Sequence, residues 1–279
     1  HKYRIAIIGC GAIGNEVIKN LVLLGAGSLD LYDLDQIEIH NLTRSVLFRE
    51  CDVGKSKAEV AADRARELDP NVVIRAFTGD FWETLNLIDL KTYDAVFCCV
   101  DNFEARIRLN TLCQIASVNL INSGIDSKNA MVEVFPYSTS LFSACYECNL
   151  PLSVYARVQQ RYSCGWLKKQ AFIEKKIPTT ILTSSIAGAL AVANGLNVLR
   201  QDEPSQAFRI FVDTFSGQST KSELVRKEGC ASCTIREKEI RIASVRNSLT
   251  ENLFLKSNTN FDCHIMTSDP ILVSYFCRL

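Results

Sequence analysis

Gly9-Cys10-Gly11-Ala12-Ile13-Gly14 stands between an apolar run, Arg4–Ile8, and a stretch of helical periodicity, Ala12–Leu24. Glycines in this pattern permit a tight turn and close backbone approach, and a helix beginning there aims free N–H groups at a phosphate. Asp33, which closes the next strand-like run, is placed to accept hydrogen bonds from ribose hydroxyls. Taken alone, these residues describe a nucleotide site whose default owner is an NAD(P)-binding oxidoreductase. A glycine turn without any ligand is the plain structural alternative.

The residues that follow favour a triphosphate over a dinucleotide. Asp33 and Asp35 are succeeded by Asn41 and Arg44, then by Gly54 and Lys57. A dinucleotide needs one acid here and no added cations, whereas attack at the α-phosphorus of a triphosphate needs several negative charges neutralised. Arg44 and Lys57 can supply that charge, and Asn41 a directional hydrogen bond. Asp101-Asn102 follows the apolar run Ala95–Val100, at the strand end where phosphates would lie, and Asp101 offers the hard carboxylate that Mg²⁺ takes. Each cation by itself reads as a solvated surface charge. Asp101 by itself reads as the cap of a helix starting near Phe103. The ordered set, not any single member, carries the nucleotide reading.

The cysteines offer a second chemistry. Of twelve, Cys98 and Cys99 sit in an apolar run and read as core, with Cys10, Cys113 and Cys277 in the same class. Cys145-x-x-Cys148 and Cys230-x-x-Cys233 instead give four soft ligands at the spacing of a closed, tetrahedral and therefore structural zinc site. Two unrelated cysteine pairs, or a redox pair, are the alternatives. His1, His40 and His264 stand at no spacing that would build a triad with a cysteine.

Together these residues resemble the ubiquitin-activating-enzyme superfamily, in its compact branch of ThiF/MoeB-type adenylyltransferases. The matching elements are the glycine loop, D-x-D (Asp33, Asp35), N-L-x-R (Asn41, Arg44), G-x-x-K (Gly54, Lys57), D-N-x-x-x-R-x-x-x-N (Asp101, Asn102, Arg106, Asn110) and the two cysteine pairs. The resemblance implies a nucleotide site formed by Gly9, Gly11, Ala12, Gly14, Asp33, Asp35, Asn41, Arg44, Lys57, Asp101 and Asn102. Within it Asp33 binds ribose, Arg44 and Lys57 grip the phosphates, and Asp101 places Mg²⁺. It further implies ATP-dependent adenylation of a carboxylate with release of pyrophosphate, zinc on Cys145, Cys148, Cys230 and Cys233, and a homodimer. The carboxylate is expected at the C-terminus of a small β-grasp protein, ubiquitin-like or sulfur-carrier, or of a peptide; some branches act on modified tRNA instead. A catalytically inactive partner subunit of an activating heterodimer is the rival within the family.

Where family members go beyond adenylation, a cysteine in a loop above the nucleotide captures the acyl group. Cys164, flanked by Arg157, Arg161, Lys168 and Lys169, is the candidate for a thioester or a persulfide. Three departures stand out: His40 and Ser45 around N-L-x-R, and Asp69-Pro70 where the family has Asn-Pro. The arginine that a partner's N-terminal segment usually contributes is expected upstream of residue 1, if at all.

These residues need elements to hold them. Strand-like runs at Arg4–Ile8, Ser28–Tyr32, Val72–Phe77, Ala95–Val100 and Asn119–Ser123 alternate with helical stretches at Ala12–Leu24, Ser56–Leu68 and Phe103–Ser117. That order predicts an α/β fold: a doubly wound, Rossmann-like, mainly parallel sheet with ligands beyond its carboxyl edge. Strands at Met131–Phe135 and Phe208–Val212, a helix from Thr183 to Leu199 and a zinc-pinned loop complete an adenylation domain at 1–233, with 234–279 a small C-terminal extension. Pro178–Leu199 is uncharged and nearly bilayer-long, but its Thr, Ser and Asn residues suit a buried central helix. Lys+Arg and Asp+Glu balance at 31 each, which argues against a nucleic-acid surface. His1-Lys2-Tyr3 carries no signal-peptide pattern, so a cytoplasmic protein is expected.

Overall fold

Strand β1 (Tyr3–Ile8) contributes four buried residues, Ile5 to Ile8, and pairs in parallel on both sides. Its neighbours are β2 (Gly27–Asp33) and β4 (Ala95–Cys98), beyond which β3 (Val73–Thr78) and β5 (Asn119–Ile125) continue the parallel set. Strands buried on both faces must be apolar throughout, and the Ile5–Ile8 and Ala95–Cys98 runs are. The computed structural model describes residues 3–151, 153–155, 179–200, 206–237, 263–265 and 275–277.

From β5 the chain turns back. Asp126 Oδ1 accepts the N–H groups of Lys128 and Asn129, both at 2.7 Å, and closes the turn into β6 (Asn129–Phe135). Strands β7 (Phe208–Asp213) and β8 (Ser219–Glu223) add two more antiparallel members, giving the order β3-β2-β1-β4-β5-β6-β7-β8. The sheet is thus mainly parallel, as expected, with an antiparallel wing. Strand β8 was not legible in the sequence. Its residues, Ser219-Thr-Lys-Ser-Glu223, are all exposed and lack apolar alternation, so only pairing with β7 makes them a strand.

Helices cover both faces. On one lie α1 (Ala12–Leu23), α2 (Lys57–Leu68) and α6 (Ile181–Arg200), sharing a core with the sheet through Val17, Ile18, Leu21, Ala61, Ala65, Ala191 and Leu196. The other carries the single-turn helices α3 (Phe81–Thr84) and α4 (Leu87–Leu90), then α5 (Phe103–Ala116) and the segments bearing Cys145, Cys148 and Cys233. Helix α6 is long and apolar enough to cross a membrane by length and composition, yet half of that span is buried inside the fold. Its small residues explain why. A methyl at Gly188 would lie 2.4 Å from Glu16 Cβ, and one at Gly195 would lie 2.6 Å from Phe97 Cζ. In the tail, β9 (Cys263–Ile265) and β10 (Tyr275–Cys277) pair antiparallel.

Because the strand order runs outward in both directions from β1 and β4, a crevice opens beyond their carboxyl ends. The glycine loop, Asp33 and Asp101 all emerge there.

Candidate functional site

Gly9 follows β1 with a φ of +94°, and its N–H donates to the Tyr32 carbonyl at 2.8 Å. A Cβ on Gly9 would meet the Cys99 backbone at 2.9 Å, and one on Gly14 would lie 2.0 Å from the Gly9 carbonyl oxygen. These two glycines are therefore fixed by the packing of loop, strand and helix. Gly11 differs, because nothing lies within 4 Å of a Cβ built there. It is the N-cap of α1, and no side chain caps this turn among the described residues. The first intrahelical bond, Asn15 N–H to Gly11 O at 2.8 Å, leaves the preceding first-turn donors directed outward.

Asn15 was not singled out from the sequence, yet it organises the loop. Fully buried, it donates from Nδ2 to the carbonyls of Cys10 (2.7 Å) and Gly11 (3.1 Å) and accepts at Oδ1 from Leu47 N–H (2.8 Å). The segment carrying Asn41 and Arg44 is thereby tied to the start of α1.

Asp33, at the end of β2, accepts from Cys10 N–H at 2.6 Å and from Asp35 N–H at 2.8 Å. Burial raises its pKa, an effect only partly offset by the Asp35 amide, the Lys57 charge and the Cys10 amide. Lys57 opens α2, its side chain only 11% exposed, and its Nζ lies 2.7 Å from Asp35 Oδ2. Glycine loop, Asp33, Asp35 and Lys57 thus form one cluster. Arg44 donates from Nη1 to the His40 carbonyl at 2.9 Å, and buried Asn41 spends its Oδ1 on Glu38 N–H at 2.8 Å. These two belong to the adjoining turn rather than to the acid–lysine cluster.

The Asp101-Asn102 pair divides its work. Asn102 caps α5, its Oδ1 accepting from Ala105 N–H at 2.9 Å. Asp101 is exposed, and its carboxylate makes no hydrogen bond or ion pair among the described residues. Capping therefore belongs to Asn102, and Asp101 remains available at the crevice. Arg106 bonds both the Val100 carbonyl and Asn122 Oδ1. Asn122 Nδ2 donates to buried Glu133 at 2.7 Å, and the part-exposed Arg209 closes this chain on the same carboxylate.

Cys145, Cys148, Cys230 and Cys233 bring their sulfurs within 4.8 Å of one another. Individual separations are 3.7 Å (Cys145–Cys148), 3.8 Å (Cys145–Cys230) and 3.3 Å (Cys148–Cys233). A disulfide would need about 2.05 Å. Four thiolates at Zn–S distances of about 2.3 Å stand about 3.8 Å apart, so the donor set fits a tetrahedral ion with no open position. Within the quartet the hydrogen bonds act in opposite directions, lowering the pKa of the Cys148 thiol and, together with burial, raising that of Cys145. Cys164, with Arg157, Arg161, Lys168 and Lys169, lies outside the described residues.

The ThiF family profile matches residues 1–235. This chain belongs to the ThiF family. The matched span takes in the glycine loop, both acid motifs and both cysteine pairs. Among curated ThiF-like relatives, the ubiquitin-like modifier-activating enzyme 5 of Bombyx mori is 31% identical over 206 residues, covering 70% of this chain and 50% of the relative. The SUMO-activating enzyme subunit 2 of Dictyostelium discoideum is 36% identical over 152 residues, 54% of this chain and 22% of the relative. The chain therefore spans half or less of the length of these relatives. Among solved structures, Escherichia coli MccB with ATP superposes with a TM-score of 0.65 at 26% identity, covering 83% of this chain and 66% of that one. A further structure describes the microcin C7 biosynthetic enzyme MccB in complex with N-formylated MccA.

Proposed function

We propose that this chain uses ATP to adenylate the C-terminal carboxylate of a small β-grasp protein, ubiquitin-like or sulfur-carrier, or of a peptide, releasing pyrophosphate. The observation that carries the reading is the uncapped start of α1 beside the Asp33–Asp35–Lys57 cluster. Outward N–H donors suit phosphates, a carboxylate suits ribose, and a sheltered lysine suits growing phosphate charge. Relatives named for activating ubiquitin-like modifiers, and a neighbour solved with ATP, support it.

In this reading Gly9, Gly11, Ala12 and Gly14 cradle the phosphates, Asp33 accepts from the ribose, and Asn102 and Asp35 border the site. Lys57 and Arg44 exchange their present partners, Asp35 and the His40 carbonyl, for phosphate oxygens. Asp101 holds Mg²⁺, which supplies charge neutralisation on the triphosphate. A substrate carboxylate oxygen bonds to the α-phosphorus as the bond to the bridging oxygen breaks, and that oxygen leaves on pyrophosphate.

The four cysteines hold one structural Zn²⁺. The adenylation unit occupies 1–233, with 234–279 an extension, and the protein works in the cytoplasm as a homodimer. The relative named as a subunit favours a heterodimer as the second assembly. Cys164 is the candidate acceptor of the activated acyl group. Isotope exchange tests the core of this reading: labelled pyrophosphate must enter ATP only when Mg²⁺ and a matching carboxylate are both present. Hydride transfer from a nicotinamide cofactor, without exchange, overturns it. A wild-type protein that forms no thiol-sensitive adduct with its activated substrate removes Cys164 from the mechanism.

A further inference from the structure

One fully buried polar side chain has no part in the nucleotide chemistry above. Asn110 lies on α5, one turn beyond Arg106, and spends its amide on the cysteine turns. Its Nδ2 donates to Glu147 Oε1 at 3.0 Å and to Ser232 Oγ at 3.1 Å. Its Oδ1 accepts from Tyr137 Oη at 2.5 Å and from Tyr146 N–H at 3.1 Å. Tyr146 and Glu147 lie between Cys145 and Cys148, and Ser232 lies between Cys230 and Cys233. An amide side chain has two donor and two acceptor places, and here all four are filled. Gln114, the next turn along, adds a bond from Nε2 to Ser232 Oγ at 2.9 Å. Both cysteine turns are therefore fastened to one helix by one residue.

The same helix fixes Asp101 from both sides. Arg106 grips the Val100 carbonyl, immediately before Asp101, and Asn102, immediately after it, caps the helix. Eight residues of α-helix, about 12 Å, separate Asn102 from Asn110. A helix of this length is stiff, so a shift at one end reaches the other.

We propose that Asn110 is a positioning residue that locks both cysteine turns to α5, so that metal occupancy of the four-cysteine centre sets the placement of Asp101 and with it the affinity for Mg²⁺-bound ATP. The proposal rests on the zinc and ATP reading given above. It makes the metal centre a determinant of nucleotide binding as well as of stability.

The test uses the full chain purified with its metal. Metal content, metal release to a chromogenic chelator, and Kd for ATP with and without Mg²⁺ are measured on wild type, Asn110→Ala, Ser232→Ala and the control Asn71→Ala. Asn71 bonds Asp69 in the exposed turn that enters β3, at the amino edge of the sheet and opposite the crevice. Asn110→Ala and Ser232→Ala loosen the turns that carry the cysteines and are expected to weaken metal binding roughly 10-fold, the lower end of the cost of losing an outer partner of a metal ligand. Both should also raise Kd for ATP several-fold in Mg²⁺ but not without it, while Asn71→Ala behaves as wild type. Stripping metal from wild type should reproduce that Mg²⁺-specific loss. Should Asn110→Ala fail to fold, Ser232→Ala alone decides. Wild-type metal release in the variants, or faster release with unchanged Kd in Mg²⁺, overturns the coupling. A wild type without metal, or without ATP binding, overturns the underlying reading instead, a result separable from the first.

Discussion

Asp101 and Asn102 are neighbours whose side chains do unlike things, and substitution separates them. Asp101 is exposed and makes no side-chain bond among the described residues, so Asp101→Ala should leave the thermal midpoint nearly unchanged, as surface changes do. If it holds Mg²⁺, the same change should cut pyrophosphate exchange by roughly 10²-fold or more, on the scale of other lost electrostatic groups. Near-normal exchange in that variant removes Asp101 from the chemistry. Asn102→Ala should show the reverse balance, losing ~1 kcal/mol of stability because α5 loses its cap. Chemical denaturation of both variants, beside their exchange rates, makes the comparison.

Within single elements, two placements set stability. In β2, buried Asp30 accepts from Arg75 at 2.5 and 2.8 Å, from Tyr93 Oη at 2.6 Å and from Arg4 at 3.2 Å. Burial alone would raise its pKa, but these hydrogen bonds and the Arg75 charge outweigh burial and hold the pKa below the usual carboxylate value. A depressed pKa stabilises the fold at pH values above the unfolded pKa. That contribution is lost as pH falls through the lower, folded value. Asp30→Asn should therefore cost about 2–3 kcal/mol at neutral pH, and the difference from wild type should shrink on acidification below the ordinary carboxylate range. Denaturant midpoints across pH 2–7 measure this; a pH-independent gap contradicts it. In α6, Gly195→Ala would push a methyl to 2.6 Å from Phe97 Cζ, a ring that is itself fully buried. Overpacking of this kind should cost about 1–3 kcal/mol, where alanine in an open helix would help. An unchanged thermal midpoint would mean that α6 and the sheet can part at little cost.

Across the whole molecule, the four cysteines clip together distant stretches of chain. Cys145 and Cys230 are 85 positions apart, and the intervening chain includes α6, β7 and β8. Closing so long a loop restricts the unfolded chain, so an ion bound there should stabilise the fold as a cross-link does. Chelation should release one equivalent of zinc and lower the melting temperature by several degrees. A metal-free protein with the same melting temperature would leave the cluster as four packed thiols. The antiparallel wing β6–β8 lies in or beside this loop and should lose amide protection first when the ion is removed.

By itself the sequence determined most of what is local. Apolar runs and helical periodicity placed β1–β7, α1, α2, α5 and α6, because burial on one or both faces leaves a periodic trace in neighbouring residues. The glycine loop and the paired cysteines were legible for the same reason, since turn geometry and metal spacing act over a few positions. The polar, exposed β8 left no such trace, and neither did the single-turn helices α3 and α4, which are too short for periodicity. Only the tertiary structure decided which polar residues matter to one another. Asn15 meets Leu47, Asp30 meets Arg75 and Tyr93, and Asn110 meets Ser232 across 122 positions. A hydrogen bond is satisfied by geometry in space, and nothing in the chemistry of an asparagine announces its distant partner. The same holds for Asp101 and Asn102: either type can cap a helix, and only the turn at the end of β4 settles which one does.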